Sequence, residues 1–521
     1  MLVEPKFPRI FPGQELFTLQ PSLGLLALGA SLEKEGFNVE IADMNVENDL
    51  DINSCFAVGI TGHPVQHKEI VKIAKKIKAQ NSDIPVILGG PHATFCTESI
   101  LKQIKEIDFI IRNEADFSLP FLLKNIDKPE MFGKIPGLAF RKGRKIMMNP
   151  TEMICNINKL PVPAFHLLKL EKHFKKLDEV SAEFGLNNLT MSLGLCASRG
   201  CPASCTFCTA RLMLSPKWRV KKPERVIKEL KHVQKTFKPW LNRLEIDFVD
   251  NTFNASKEWL IKFCKLKIKE KIGIKWRCFC RANIVDEESA RWMAKAGCIG
   301  VFIGAEAAND KSLQMMKKGI VTGLVDKAVD IFVKNEIPVI VSFMVGFHWE
   351  TKKEVMQTLR TALAFQEMSP LIESKVFKPT PFEGTELWNT LKKEGLLKQD
   401  RRILKNEVID AFDISRRKGL TFNHPFLSEK ELDAMIVWFN LKTAITNLNF
   451  TIEQKDIAES LKVRLKLLIG ITKTLGSKNI FENEIRKIGT LIEKPEKSEI
   501  QILDKKLDLT IKQIINKISW R

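Results

Sequence analysis

Three cysteines, Cys201, Cys205 and Cys208, stand at C-x3-C-x2-C inside Arg199-Gly200-Cys201-Pro202-Ala203-Ser204-Cys205-Thr206-Phe207-Cys208. Thiolates are the soft ligands that iron–sulfur clusters require. Three protein ligands on a four-iron cluster leave one iron open to chelate a small molecule. A zinc site usually recruits four protein ligands in paired spacings, and the chain has no second C-x2-C. Incidental buried cysteines, the bland alternative, do not gather in one short loop directly after a strand. Of the rest, Cys55, Cys96, Cys278, Cys280 and Cys298 read as small core residues, and Cys196 stands five positions before the motif.

The elements that position such a loop follow from periodicity. From about 189 to 390 strands and helices alternate, with strands expected near 189–195, 244–249, 274–280, 299–304, 339–345 and 373–378. Six such units fit a partial (β/α)6 barrel, which places its chemistry at the carboxyl ends of its strands. Residues 1–150 alternate as well. Strands are expected at 39–43, 55–60, 85–88 and 108–111, with helices over Leu23 to Leu32 and over 68–80, where apolar residues recur at helical spacing opposite lysines. That pattern predicts a doubly wound, Rossmann-like parallel sheet. Its ligand would sit beyond Thr61-Gly62-His63 and Gly89-Gly90-Pro91-His92, where glycine permits close backbone approach. A histidine at a strand end is more often structural than a metal ligand, and His63, His67 and His92 are weighed that way. Residues 130–188 read as a connector, with short strands near Gly137-Leu138-Ala139-Phe140 and a turn at Pro161-Val162-Pro163. Residues 391–521 read as a helical C-terminal region that covers the barrel or binds a partner, with 457–470 its most amphipathic piece.

At 521 residues, with 44% apolar and 28% charged residues, the chain should form two or three globular domains. No apolar run is long enough for a transmembrane helix. An odd set of 11 cysteines without an export signal suggests reduced thiols in the cytoplasm. The net charge of +20 concentrates in 211–240 and in 391–521. Without arginine or aromatic clusters suited to stacking, it reads as solvated helix faces rather than as a nucleic-acid surface.

The cysteine motif resembles that of the radical S-adenosylmethionine (SAM) superfamily, C-x3-C-x-aromatic-C, with Phe207 in the aromatic position. The resemblance covers roughly 189–390. Phe248-Val249-Asp250-Asn251-Thr252-Phe253 is similar to the second-strand segment whose polar residues face cluster and SAM, which implicates Asp250 and Asn251. Arg281 lies at the end of the third strand. Ile303-Gly304-Ala305-Glu306 resembles the fourth-strand segment whose carboxylate holds SAM. Phe343-Met344-Val345-Gly346 with Glu350-Thr351 resembles the fifth, except that His348-Trp349 replaces the usual Pro-Gly. Pro379-Thr380-Pro381 with Gly384-Thr385 resembles the sixth. The resemblance implies a [4Fe–4S] cluster on Cys201, Cys205 and Cys208, SAM on the open iron, a hydrogen-abstracting adenosyl radical, and an electron donor such as flavodoxin or ferredoxin.

A doubly wound domain ahead of such a barrel resembles the cobalamin-binding subclass. The interval from Thr61 to Gly89 is close to that between the Ser-x-Leu and Gly-Gly elements of cobalamin domains. Thr61 would stand for the serine and His63 for the leucine, with Gly62, Gly89 and Gly90 completing the tail pocket. The Asp-x-His-x-x-Gly element is absent after the first strand, so no histidine there would ligate cobalt. The implied function is cobalamin-dependent C-methylation of a small-molecule, lipid or peptide substrate. Alternatives are a cobalamin-assisted cyclisation or rearrangement, and a methylthiotransferase acting on RNA or protein. The last would need three N-terminal cluster cysteines, and only the widely separated Cys55, Cys96 and Cys155 are present.

Overall fold

The computed structural model describes residues 1–8, 18–183, 189–398, 422–453, 481–491 and 496–516; the expected amphipathic piece 457–470 lies outside them. Seven strands form the N-terminal sheet: β1 (Leu2–Glu4), β2 (Ile41–Asp43), β3 (Val58–Ile60), β4 (Val86–Leu88), β5 (Phe109–Ile111), β6 (Leu138–Lys142) and β7 (Lys145–Met148), in the order β2-β1-β3-β4-β5-β6-β7. The first five are parallel, and β6 and β7 extend them as an antiparallel hairpin. Helices His67–Gln80 and Gly90–Gln103 bury Ile70, Ile77 and Ile100 on one face, while Leu23–Lys34 and Ser118–Lys124 bury Leu26 and Leu122 on the other. The unit is doubly wound, and its strand order reverses between β1 and β3, the crevice where such sheets take ligands.

Two expectations are corrected here. Cys55, Phe56 and Ala57 precede the strand rather than forming its first half, since the apolar run exceeds what pairs with β1 and β4. The short strand expected near 137–140 is β6, but it belongs to the N-terminal sheet rather than to a connector, because Ala139 and Phe140 pair with β5, and β7 follows as its hairpin partner.

The second sheet holds β8 (Met191–Leu195), β11 (Leu244–Phe248), β12 (Lys275–Cys280), β13 (Cys298–Glu306), β14 (Val339–Met344) and β15 (Ile372–Phe377), all parallel, in the order β15-β14-β13-β12-β11-β8. A short antiparallel ribbon, β9 (Ser198–Arg199) with β10 (Arg219–Val220), stands beside it. The helices between strands start where the sequence caps them. Ser256 and Asp286 accept from backbone N–H groups of the first turn, and Thr351 with Glu354 forms a reciprocal capping box. Trp276, Cys278 and Cys280 point outward into a core with Phe253 and Phe263. The other face of the sheet is left for ligands.

Among the described residues the C-terminal region is helical and packs on the barrel, one of the two roles expected of it. Helix Glu429–Glu453 lies against helix Lys352–Met368 and is buried at every position from 431 to 448. Four of its polar side chains are matched: Glu431 to Lys352 at 2.8 Å, Lys442 to Asp504 at 2.6 Å, Asn447 to Gln366 at 3.0 Å, and Asp433 to Lys378. Among the described residues, no helix is long and apolar enough to cross a membrane.

Candidate active site

The cysteine loop leaves the end of β8 and is closed at its base by the β9–β10 ribbon. Gly200 turns the chain there with φ +91°. Within the loop the Cys201 N–H donates to Ser215 O (3.2 Å) and the Cys208 N–H to Cys205 O (3.2 Å). Two bonds stitch the loop across the barrel mouth: Thr206 N–H to Met316 O, and Leu387 N–H to Thr206 O, both 2.9 Å. Cys201 is buried with its Sγ 3.9 Å from Thr252 Oγ1, and Cys205 and Cys208 are half-buried. Phe207 packs 6.0 Å from Phe347, which stacks on Trp349 at 4.6 Å. The departure at His348-Trp349 thus adds an aromatic layer behind the loop.

The donor set suits an iron–sulfur cluster. It consists of three thiols on one loop. Among the described residues no three His, Cys, Asp or Glu side chains converge on a single ion. Convergence is not required of thiolates that each bind a separate iron. Burial raises the Cys205 and Cys208 thiols, while Lys318 and Arg281 pull Cys205 the other way, as cations facing the loop must.

Asp250 departs from its expected role. Its carboxylate is fully buried and accepts from Ala197 N–H (3.0 Å), Ser198 N–H and Ser198 O–H (2.5 Å). It therefore anchors the turn between β8 and the cysteine loop and does not face the cavity; burial lifts its pKa to about 6. Asn251, next along, does face the cavity.

Glu306 ends β13 at a register shift, in the left-handed region at φ +66°, where a residue with a side chain is strained. Its Oε1 accepts from Lys318 Nζ at 2.6 Å, and Arg281 Nη2 donates to Lys318 O at 2.7 Å. Asn254 in turn fixes Arg281 through both backbone groups. A Cβ at Gly304 would collide with Glu306 Oε1 and stand 2.7 Å from Lys318 Nζ. Lys318 and Asn254 were not singled out in the sequence; only a glycine that makes room for the pair hinted at them.

A cavity of about 530 Å³ opens between the two sheets. Thr61, His63, Gly89 and Gly90 line one side and Cys196, Ser198, Arg199, Val249 and Asn251 the other, with Leu160, Pro161 and Pro163 between. It lies at the carboxyl ends of β3 and β4, its walls are mostly apolar, and its glycines leave it wide. These features suit a large, largely apolar cofactor such as cobalamin. Gly90 (φ +84°) lies so close to Thr61 that a Cβ would be 2.7 Å from Thr61 Oγ1. Gly62 does not line the cavity; it packs on Ile70, and its carbonyl accepts from His92 N–H at 3.1 Å. Of the three histidines only His63 reaches the cavity. His67 Nδ1 and His92 Nε2 are 2.9 Å apart behind the wall. Burial pushes His67 to about 4 and His92 to about 3, so both are neutral at neutral pH.

Comparison with known proteins agrees with this geometry. Residues 195–362 match the radical SAM superfamily and residues 14–122 match the B12 binding domain. The chain is 31% identical to an uncharacterized methyltransferase of Pyrococcus horikoshii, over 71% of this chain and 78% of that protein. It is 23% identical to the anaerobic magnesium-protoporphyrin IX monomethyl ester cyclase of a Synechocystis strain, over 70% of this chain and 72% of that protein. The fold superposes on the cobalamin-dependent SAM radical enzyme OxsB with aqua-cobalamin bound. There the TM-score is 0.69 at 16% identity, covering 99% of this chain and 80% of that one.

Proposed function

The chain is a cobalamin-binding member of the radical SAM superfamily, and from that premise we propose that it moves a methyl group from SAM, by way of cobalamin, to an unactivated carbon of a small-molecule, lipid or peptide substrate. The observation that carries the reading is the single cavity onto which the B12-type crevice and the roots of the cysteine loop both open. When bound, the cluster with SAM supplies hydrogen-abstracting radical chemistry, and cobalamin supplies methyl transfer.

The residues of the chain position and shield these groups. Cys201, Cys205 and Cys208 would hold the cluster. Glu306, Lys318 and Arg281 would bind the charged amino-acid end of SAM, Glu306 taking the ammonium and the two cations the carboxylate. Thr61, His63, Gly89 and Gly90 would receive cobalamin, with Asn251 and Val249 between the two cofactors. Phe207, Phe347 and Trp349 keep water from the back of the loop. Deeper in the barrel, Arg277 is neutralised by Asp247 (3.1 Å) and Glu245, while Phe279 is exposed at the rim, 5.0 Å from Phe302. Reduction would come from a cytoplasmic donor such as flavodoxin or ferredoxin.

Gly304→Ala should push apart Glu306 and Lys318, raising the Kd for SAM on the order of tenfold to a hundredfold. Iron content should be unchanged, and calorimetric titration of the reconstituted protein reads both; unchanged SAM affinity would remove Glu306 and Lys318 from the SAM site.

The deciding experiment is anaerobic purification with cobalamin supplied, followed by iron, sulfide and cobalt analysis. About four irons and one cobalt per chain are expected, and four irons without cobalt would end the methyl-transfer reading. The cyclase-named relative motivates a second reading, cobalamin-assisted ring formation. Product mass separates the two, since methylation adds about 14 Da and cyclisation does not.

A further inference from the structure

Four largely buried charged side chains join the N-terminal domain to the cysteine loop. Arg199 Nη1 donates to Glu114 Oε1 (2.9 Å) and Asp116 Oδ2 (2.8 Å), and its Nη2 to Asp116 Oδ1 (3.0 Å). Arg219 Nη1 donates to Glu114 Oε2 at 2.7 Å, and its Nη2 to Leu214 O at 2.6 Å. Asn113, at φ +62°, donates from Nδ2 to Leu212 O (2.7 Å) and Met213 O (2.9 Å). The two acids follow β5 of the B12-type sheet, while the two arginines are paired in the ribbon that closes the cysteine loop.

Two consequences follow from this placement. Both ends of the cysteine loop are tied to residues 113–116, so ordering either segment orders the other. Asn113, Glu114, Asp116 and Arg199 also line the cavity between the sheets, so a ligand there meets the same groups that hold the loop. Each of the two positive and two negative charges is hydrogen-bonded; replacing Arg199 takes from Asp116 its cation, and replacing Asp116 leaves Arg199 held by Glu114 alone.

We propose that Arg199, Glu114, Asp116 and Arg219 are positioning residues that couple the two cofactor sites, so that cobalamin binds more tightly when the cluster is in place. The inference rests on the two-cofactor reading. By linkage, bound cobalamin then stabilises the cluster by the same factor.

The test is an anaerobic titration of hydroxocobalamin, read by absorbance, into cluster-reconstituted and iron-free full-length protein. The wild-type Kd should be about tenfold lower with the cluster, within the usual range of coupling between sites. In Asp116→Asn and in Arg199→Lys that ratio should fall to within about twofold of unity, whatever each substitution does to the iron-free Kd, with a wild-type circular dichroism spectrum as the control for an intact fold. A wild-type ratio of one overturns the coupling and leaves the cobalamin reading standing. A tenfold ratio that persists in both variants overturns the assignment to these residues. No hydroxocobalamin binding in either form overturns the coupling and the cobalamin reading together.

Discussion

Gly200→Ala is expected to give a chain whose N-terminal sheet forms normally but which retains less than about a tenth of the wild-type iron, with activity reduced by about a thousandfold or more. At φ +91° an alanine would be strained by about 1–3 kcal/mol before any contact is considered. The new Cβ would also lie well inside contact distance of the Lys217 carbonyl oxygen and 3.0 Å from Ser215 O. Both are backbone atoms, so no side-chain rotation relieves the clash. Ser215 O is itself the acceptor for Cys201 N–H, and relief must therefore move the first cysteine. A displacement of about 1 Å in a positioned group commonly costs a hundredfold in rate, and three thiols must share one geometry. Iron and sulfide analysis after reconstitution, alongside product formation, checks this. Wild-type iron and activity would show that the loop is not built as described.

Gly90→Ala should do the converse, weakening cobalamin binding by about a hundredfold while leaving iron content alone. The strain is again that of a side chain at positive φ, here +84°. The Cβ would be 2.7 Å from Thr61 Oγ1, and 3.1 and 3.2 Å from Gly62 N and O. The neighbouring backbone cannot retreat easily, because Gly89 N–H is held by Ile60 O (2.9 Å) and His92 N–H by Gly62 O (3.1 Å). The two strand ends must then part, opening the wall that Thr61 and His63 form. Hydroxocobalamin titration reads the affinity and iron analysis provides the control. Loss of iron in this variant would mean that the substitution unfolds more than the crevice.

The cysteine loop was legible because its ligands are close in sequence and their spacing is set by one turn of chain. The strands were legible for a related reason: a buried parallel strand needs apolar residues on both faces, and runs such as Val86-Ile87-Leu88 supply them. What escaped was whatever depends on partners far along the chain. Asp250 has the composition of a cofactor ligand, yet its oxygens are taken by backbone groups at 197 and 198, 53 and 52 positions earlier. The Arg199–Asp116 pair spans 83 positions, and Arg219–Glu114 spans 105; nothing local distinguishes these charges from the many solvated ones. Lys318 reads as one of a pair of adjacent lysines until the bulge at Glu306 turns the carboxylate toward it. The strand near 137–140 is legible from its apolar run, but nothing local says that it joins the N-terminal sheet rather than a connector.

Helix Glu429–Glu453 bears on how members of this family can be recombined. A segment buried on all sides, with Asp433, Lys442 and Asn447 each matched to a residue on a different neighbouring element, has no surface along which it can be detached. A chimera that joins this barrel to another member's C-terminal helices would leave Lys378 and Gln366 facing foreign side chains. Exchange of substrate preference between relatives is therefore better attempted through the loops at the barrel mouth than by cutting after the sixth strand.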